Sequence, residues 1–349
     1  MAAPTRPRSK GAAAGPATND DVPIGADRGA MTILFTSAGA NVSLIRCFRT
    51  AATTCGVSLK VMAVDQRPDQ APACLLAEAA HAVPSPDAED YAAEVQRLCR
   101  EHGVALVVPC GVRELGPLSA ARSGFDDIGA TLALAPAALV DQMLDLWQWQ
   151  ELALSAGAAV PRIGARHDIA DNPDGWRWPL VARPVRLGSD APPARLVRTP
   201  TELLLLDPER AVVLQETPRG ERFVIQLLFG ADGGLLCVAP CRIIATSDGE
   251  IATTCADRKL IALGRRLATL MEDARGPVTI DAVRQADGTI MIDRMLPMLA
   301  DVYPLIDCAG AKLAQAMIGE RLGLPMNRTL DMEDRFTMLT YPAPLFIAG

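Results

Sequence analysis

The sequence predicts an α/β parallel sheet followed by an α+β region of antiparallel strands. Three observations carry this. In the first third, short apolar runs such as Met31–Thr36 and Val104–Val108 alternate with helix-patterned stretches. In the rest of the chain, apolar runs are separated by turn residues such as Gly230-Ala-Asp-Gly-Gly234. Near the end, Gly276-Pro-Val-Thr-Ile-Asp-Ala-Val283 and Thr289-Ile-Met-Ile-Asp-Arg-Met-Leu-Pro297 flank an Asp287-Gly288 turn, a hairpin signal. The chain has 349 residues, enough for more than one domain. Half are hydrophobic but only 4% aromatic, so the cores must rest on Ala, Val, Leu and Ile.

The first elements fall in order. Met31–Thr36 is a β-branched run ending in the small-residue loop Ser37–Asn41, and a helix follows from Val42 to about Thr53. Strand Leu59–Val64 ends at Asp65. Tyr91, Val95, Leu98 and Cys99 fall at helical spacing within Asp90–His102, and Gly103 is the stop. Val104–Val108 is a continuous apolar strand ending at Pro109. This third is Rossmann-like in architecture. Ser37-Ala-Gly-Ala-Asn41 lacks the second and third glycines of Gly-x-Gly-x-x-Gly, so an NAD site is the remote reading, with Asp65 as a ribose acid or a loop cap.

Further on, Pro136–Gly157 reads as helix and Trp178–Pro184 as strand. Thr199–Leu206 is a short helix, and Ala211–Glu216 a strand. Phe223–Phe229 and Leu235–Pro240 pair as a hairpin, and Arg242–Thr246 with Ile251–Thr254 suggests one more. Lys259–Ala274 is an amphipathic helix; Ala309-Gly-Ala311 opens a last helix to Ile318, and Gly323-Leu-Pro325 closes the region. The expected division is a disordered tail over 1–30, rich in Ala, Pro, Gly and charge, and a Rossmann-like domain over 31–135. A second domain covers 136–325, with a small lobe at 160–220, and 326–349 is an unassigned tail.

The net charge of −7 is unclustered, which argues against a nucleic-acid partner. No charge-free apolar run reaches ~18 residues, so no membrane span is expected, and the first residues lack a signal-peptide core. The nine cysteines are odd in number and form no Cys-x-x-Cys pair; reduced, buried thiols of a cytoplasmic protein are expected. The three histidines are scattered, none beside a nucleophile.

Several segments, in this order, resemble the ATP-grasp superfamily, in the branch near the carbamoyl phosphate synthetase large chain. Thr36-Ser-Ala-Gly-Ala40, Asp65, Val83-Pro84, Asp90-Tyr91, Val108-Pro109 and Arg113-Glu114-Leu115 are similar to the domain that precedes the ATP-clamping lobes. Pro179-Leu-Val-Ala-Arg-Pro184 looks like the strand bearing the phosphate-binding lysine, and Val213-Leu-Gln215-Glu216 with Gly220-Glu221 like the adenine-side strand. Arg242 with Gly249-Glu250 looks like the family's Arg-to-Gly-Glu segment, and Gly276–Asp281 with Asp287-Gly288 and Pro297 like its metal-binding hairpin. The resemblance implies a Rossmann-like pre-ATP-grasp domain followed by α+β ATP-grasp domains. It implies ATP and Mg²⁺ as cofactors, and a carboxylate and an amine joined through an acyl phosphate. Arg183, Gln215 and Glu216 would hold the nucleotide, Asp281 and Asp293 the metal, and Arg242 the acceptor or acyl phosphate. Family members often dimerise, which admits a homodimer.

The chain departs from the family pattern. The usual Asp-Lys before the central domain reads Asp145-Leu146-Trp147, the strand lysine is Arg183, and the phosphate flap is reduced to Leu187-Gly188-Ser189-Asp190. The Glu-x-Asn-Pro-Arg motif becomes Arg294-Met-Leu-Pro-Met298. A two-residue Asp287-Gly288 turn sets Asp281 opposite Arg294, so that a guanidinium substitutes for Mg²⁺. A three-residue Ala286–Gly288 turn sets Asp281 opposite Asp293, which calls for a metal. The first register is expected. Two functions stand side by side: a carboxylate–amine ligase with an altered site, and a catalytically inactive regulatory or assembly protein on the same scaffold.

Overall fold

The computed structural model describes residues 28–188, 191–206, 212–246, 249–325, 331–341 and 344–345. The expected tail lies outside the described residues up to residue 27, as do Ser189 and Asp190 of the expected phosphate flap. Strands β1 (Ala30–Thr36), β2 (Ser58–Asp65), β3 (Ala79–Ala82), β4 (Val104–Pro109) and β5 (Thr131–Leu132) form a parallel sheet in the order β3-β2-β1-β4-β5. The apolar runs make it so: Ile33, Leu34 and Phe35 are all fully buried, because helices cover both faces. Helix Val42–Thr54 packs Phe48 edge-on against Phe35, ring centroids 5.2 Å apart. Helix Tyr91–His102 ends where Gly103 turns left-handed, as its sequence position demands.

Pro136–Gly157 is two helices, Ala137–Leu144 and Leu146–Ser155, rather than one. Asp145 between them is extended, and its carboxylate accepts from the N–H groups of Trp147 and Gln148. A carboxylate is worth more as an N-cap than inside a helix, so the break belongs to Asp145.

The chain then builds two antiparallel sheets. β6 (Ile163–Gly164), β7 (Leu180–Pro184), β8 (Arg195–Val197) and β9 (Val212–Glu216) form a small one, ordered β6-β9-β7-β8, over its own core of Ile169, Trp176, Leu180, Val197, Leu203 and Leu214. The larger one is ordered β14-β13-β10-β11-β12-β15. Its strands are β10 (Glu221–Phe229), β11 (Leu235–Ala245), β12 (Glu250–Thr254), β13 (Gly276–Arg284), β14 (Ile290–Leu296) and β15 (Thr337–Leu339). The two hairpins expected over 223–254 share β11 as one continuous strand, and β15 comes from the segment the sequence left unassigned.

Helix Arg258–Leu270 covers one face of the larger sheet. Gly264 lets it lie close: a Cβ there would meet Val238 Cγ1 at 2.7 Å. On the other face Leu228, Cys237, Ala239 and Cys241 are buried in a core shared with Tyr303, Leu305 and Leu313, and toward its β14 edge the sheet borders a cleft that Asp293 spans to β7 and β9.

Candidate functional site

The β13–β14 hairpin combines the two registers open to the sequence. Gln285 N donates to Thr289 O at 2.9 Å and Gly288 N to Gln285 O at 3.0 Å, closing a three-residue turn over Ala286–Gly288. Asp287 accepts from Thr289 N at 2.9 Å, and Gly288 takes φ +85°. The expected two-residue turn is therefore corrected: Asp287-Gly288 serves a left-handed three-residue loop equally well. From there Arg284 faces Ile290 and Ala282 faces Ile292, and then the register shifts between Asp281 and Ala282. Asp293 is the extra residue of this bulge, and beyond it Asp281 faces Arg294.

The bulge separates the two aspartates by function. An extra residue breaks the strict alternation of side chains. Arg294 lies on Asp281, its Nη2 2.6 Å and its Nε 2.8 Å from Oδ2. Asp293 turns to the smaller sheet, where its Oδ1 accepts from Gln215 Nε2 at 2.7 Å. Gln215 Oε1 in turn accepts from Arg183 Nη1 at 2.9 Å, and the same Nη1 reaches the Asp293 carbonyl at 3.3 Å. Arg183, Gln215 and Asp293 thus form one chain across the cleft. Burial pushes the Asp293 carboxyl above its ordinary range, against the pull of the Arg183 guanidinium. Burial likewise lowers Arg183 from its ordinary value.

Glu216, next along β9, is not free for a ligand. Its Oε1 accepts from Arg177 N at 3.1 Å and its Oε2 from Arg177 Nε at 2.9 Å, and the residue is buried.

Arg242 does not reach the cleft. Residues paired across strands share a face: Val224 pairs with Asp281, whereas Arg242 pairs with Phe223, one position off. Arg242 therefore stands on the helix-covered face, half exposed, with Nη2 3.3 Å from Glu221. The expected placement at the acceptor is corrected for that reason. The residue that does enter is Arg222. With Glu250, Asp281, Arg294 and Asp301 it lines a cavity of about 270 Å³. Burial raises Glu250 above the usual carboxylate range, opposed by Arg222. Counting parity outward from the β10–β11 turn was the signal for Arg222; Asp301 lies in a loop and had none. A second cavity of about 380 Å³ shares Cys110, Met298 and Asp301 with it and extends to Asn41 and Ser43 at the start of helix Val42–Thr54.

The residues present do not fit a resident Mg²⁺. That ion needs several oxygens in octahedral array. Here one carboxylate carries a guanidinium and the other an amide. Among the described residues no group of three His, Cys, Asp or Glu side chains comes together.

Comparison with known proteins agrees with this architecture. Residues 33–133 match the family model described as the PylC-like N-terminal domain. No curated protein sequence matches the chain. Among solved structures, it is similar to the biotin carboxylase domain of 2-oxoglutarate carboxylase from Hydrogenobacter thermophilus, a dimer in complex with MgADP, ADP and bicarbonate. That likeness has a TM-score of 0.64 and 14% identity over 87% of this chain and 72% of that one. The ADP complex of an N5-carboxyaminoimidazole ribonucleotide synthetase gives 0.63 and 16%, over 86% and 79%. The ATP complex of carboxyaminoimidazole ribonucleotide synthase from Aspergillus clavatus gives 0.63 and 13%, over 87% and 80%. At such identities the likeness is one of fold.

Proposed function

The chain has the ATP-grasp fold, and from that premise we propose that its cleft binds an adenine nucleotide with a guanidinium in place of the metal. One observation carries the reading: Arg294 sits on Asp281 at 2.6 Å, where the family resemblance calls for a divalent cation. A triphosphate needs positive charge around it. Arg183 and Arg294 supply it from the two sides of the cleft. Each is held by a group that phosphate can replace: Gln215 and the Asp293 carbonyl for Arg183, Asp281 for Arg294. Nucleotide binding then gives Arg183 an anionic acceptor in place of neutral ones, while Arg294 trades one anionic partner for another. The bound ADP and ATP of the similar structures support the ligand class.

In this reading residues 31–135 are the pre-ATP-grasp domain and 136–325 the grasp. Gln215 and Glu216 line the nucleoside side of the cleft, Glu216 fixing the turn at Arg177 rather than touching a ribose. The protein works by binding nucleotide, with little or no acyl-phosphate turnover, as a regulatory or assembly component. A second reading, an active carboxylate–amine ligase, is favoured by the cavity of Arg222, Glu250 and Asp301 beside Asp281. Its mixed charges suit a small carboxylate or amine.

Calorimetric titration with ATP, with Mg²⁺ and with EDTA, tests the first reading. Equal affinity in both is expected, and no ADP release in the presence of carboxylates and amines. Arg294→Glu should lower the affinity in EDTA by about tenfold or more and restore part of it with Mg²⁺. Binding that needs Mg²⁺ in the unaltered protein sinks the guanidinium reading. Steady ADP release would move the assignment to the ligase.

A further inference from the structure

We propose that the cavity on the helix-covered face of the larger sheet is a second binding site, for a small anion with an apolar body. It lies behind the sheet from the nucleotide cleft and stands independently of that reading. Helix Arg258–Leu270 carries Arg258, Lys259, Arg265 and Arg266 and no acid, in a chain whose net charge is −7. Arg258, Ala262 and Arg266 follow at four-residue intervals, one stripe of the helix surface. The short Ala262 leaves a notch between the two long cations. The notch opens into a cavity of about 400 Å³, lined by Arg258, Lys259 and Arg266 with the apolar Ala158, Leu263 and Ile290. Its walls are this helix, the segment Gly157–Ala159 and the β13–β14 turn. Among the described residues no carboxylate lines it.

These cations are available. The side chains of Arg258 and Lys259 make no hydrogen bond or ion pair among the described residues. Arg266 uses its Nε on the Ala156 carbonyl at 2.8 Å, which aims the guanidinium without consuming its terminal nitrogens. The adjacent carboxylate, Asp257, caps the N–H groups of Lys259 and Leu260 and is held by Arg284, so neither the helix end nor that acid is open to a ligand. The cations set the head group, phosphate or carboxylate, by charge-assisted hydrogen bonds. Ala158, Leu263 and Ile290 set an apolar body next to it, and the volume lies in the small-molecule range.

Phenyl phosphate supplies both parts, phenylacetate the same body with a carboxylate, and inorganic phosphate the head alone. Each is titrated into the full chain and followed by protein-observed NMR. Saturable binding of phenyl phosphate or phenylacetate is expected, tighter than that of inorganic phosphate; the better of the two names the head. Arg258→Glu with Lys259→Glu should weaken it by about tenfold or more. Ala262→Trp, which fills the notch and leaves the charge alone, should do the same. Arg265→Glu makes half that charge change, on the same helix but outside the cavity, and should stay within about twofold. The site is overturned by no saturation up to about 10 mM, the weak end of specific small-ligand affinity. Equal losses in Arg265→Glu, or equal affinity for inorganic phosphate, overturn it too. So does loss of binding in Arg294→Glu, which would put the ligand in the cleft.

Discussion

Glu114 is fully buried and Asp293 partly so, and desolvation raises both carboxyls above the usual carboxylate range. They are held very differently. Glu114 sits at the carboxyl end of the parallel sheet, fully buried, and accepts from Ser37 Oγ at 2.8 Å, the Tyr91 hydroxyl, and the Cys110 and Gly111 N–H groups at 2.9 Å. All four donors belong to one domain: three to loops of the parallel sheet and one to the first residue of helix Tyr91–His102, which packs on that sheet. Gly111 is glycine because a Cβ would come within 2.8 Å of Ser37 Cβ. Asp293 is held by Gln215 and Arg183 from a different sheet, across a cleft. The first arrangement locks a fold. The second can be exchanged for a ligand without unfolding anything, and that distinction, rather than burial, marks the candidate site.

The largest test of the contrast is Glu114→Ala. It removes the acceptor of the Gly111 N–H and of the Tyr91 and Ser37 hydroxyls, while Cys110 N–H keeps the Thr36 carbonyl at 3.1 Å, and should cost about 3–5 kcal/mol in urea unfolding. Gln215→Ala should cost only about 1–2 kcal/mol, since Arg183 keeps the Asp293 carbonyl. Equal losses would mean that the cleft network is as structural as the Glu114 cluster, and the contrast would break.

A smaller effect is the pH response of the cleft. Asp293 faces Arg183, Gln215, Arg294 and Asp281, and its folded pKa is raised. A carboxyl of this kind binds its proton more tightly folded than unfolded. Its contribution to stability is full below the unfolded pKa and is lost as pH rises through the folded one. Asp293→Asn should flatten that slope in unfolding midpoints measured across the acid range. The same variant removes a negative charge from beside Arg183, so it should bind ATP a few-fold tighter at neutral pH. Weaker binding would show that Asp293 contacts the nucleotide favourably, as a metal ligand does.

Much of the fold was legible because it rests on local signals. Buried apolar runs gave the parallel sheet, Gly103 its helix end, and Asp287-Gly288 the hairpin. The helix break at Asp145 was missed because a capping carboxylate and a helix-interior one look alike in sequence. The cleft was less legible. Arg183, Gln215 and Asp293 lie on three strands far apart in the chain, and the residues that meet there depend on one bulge. Sequence reasoning weighed two registers as alternatives, but a bulge lets one hairpin use both: the turn follows one and the Asp281–Arg294 pair the other. Arg177, which holds Glu216, gave no signal, since its partner comes from another strand.

The smallest expected effect is the most discriminating about faces. Arg242 and Arg222 are both arginines on neighbouring strands, and a search for a substrate-facing cation would choose either. Strand parity assigns them to opposite faces: Arg222 to the cavity with Asp281, Arg242 to an exposed pair with Glu221. Exposed ion pairs contribute about 0–1 kcal/mol. Arg242→Ala should therefore leave ATP affinity unchanged and move the unfolding midpoint little. Arg222→Ala should leave stability similarly intact, yet any occupancy of the cavity by a carboxylate should fall with it. If Arg242→Ala instead abolished a ligand response that Arg222→Ala spared, the working face of the sheet would be the one under the helix, and the cleft would lose its claim to the chemistry.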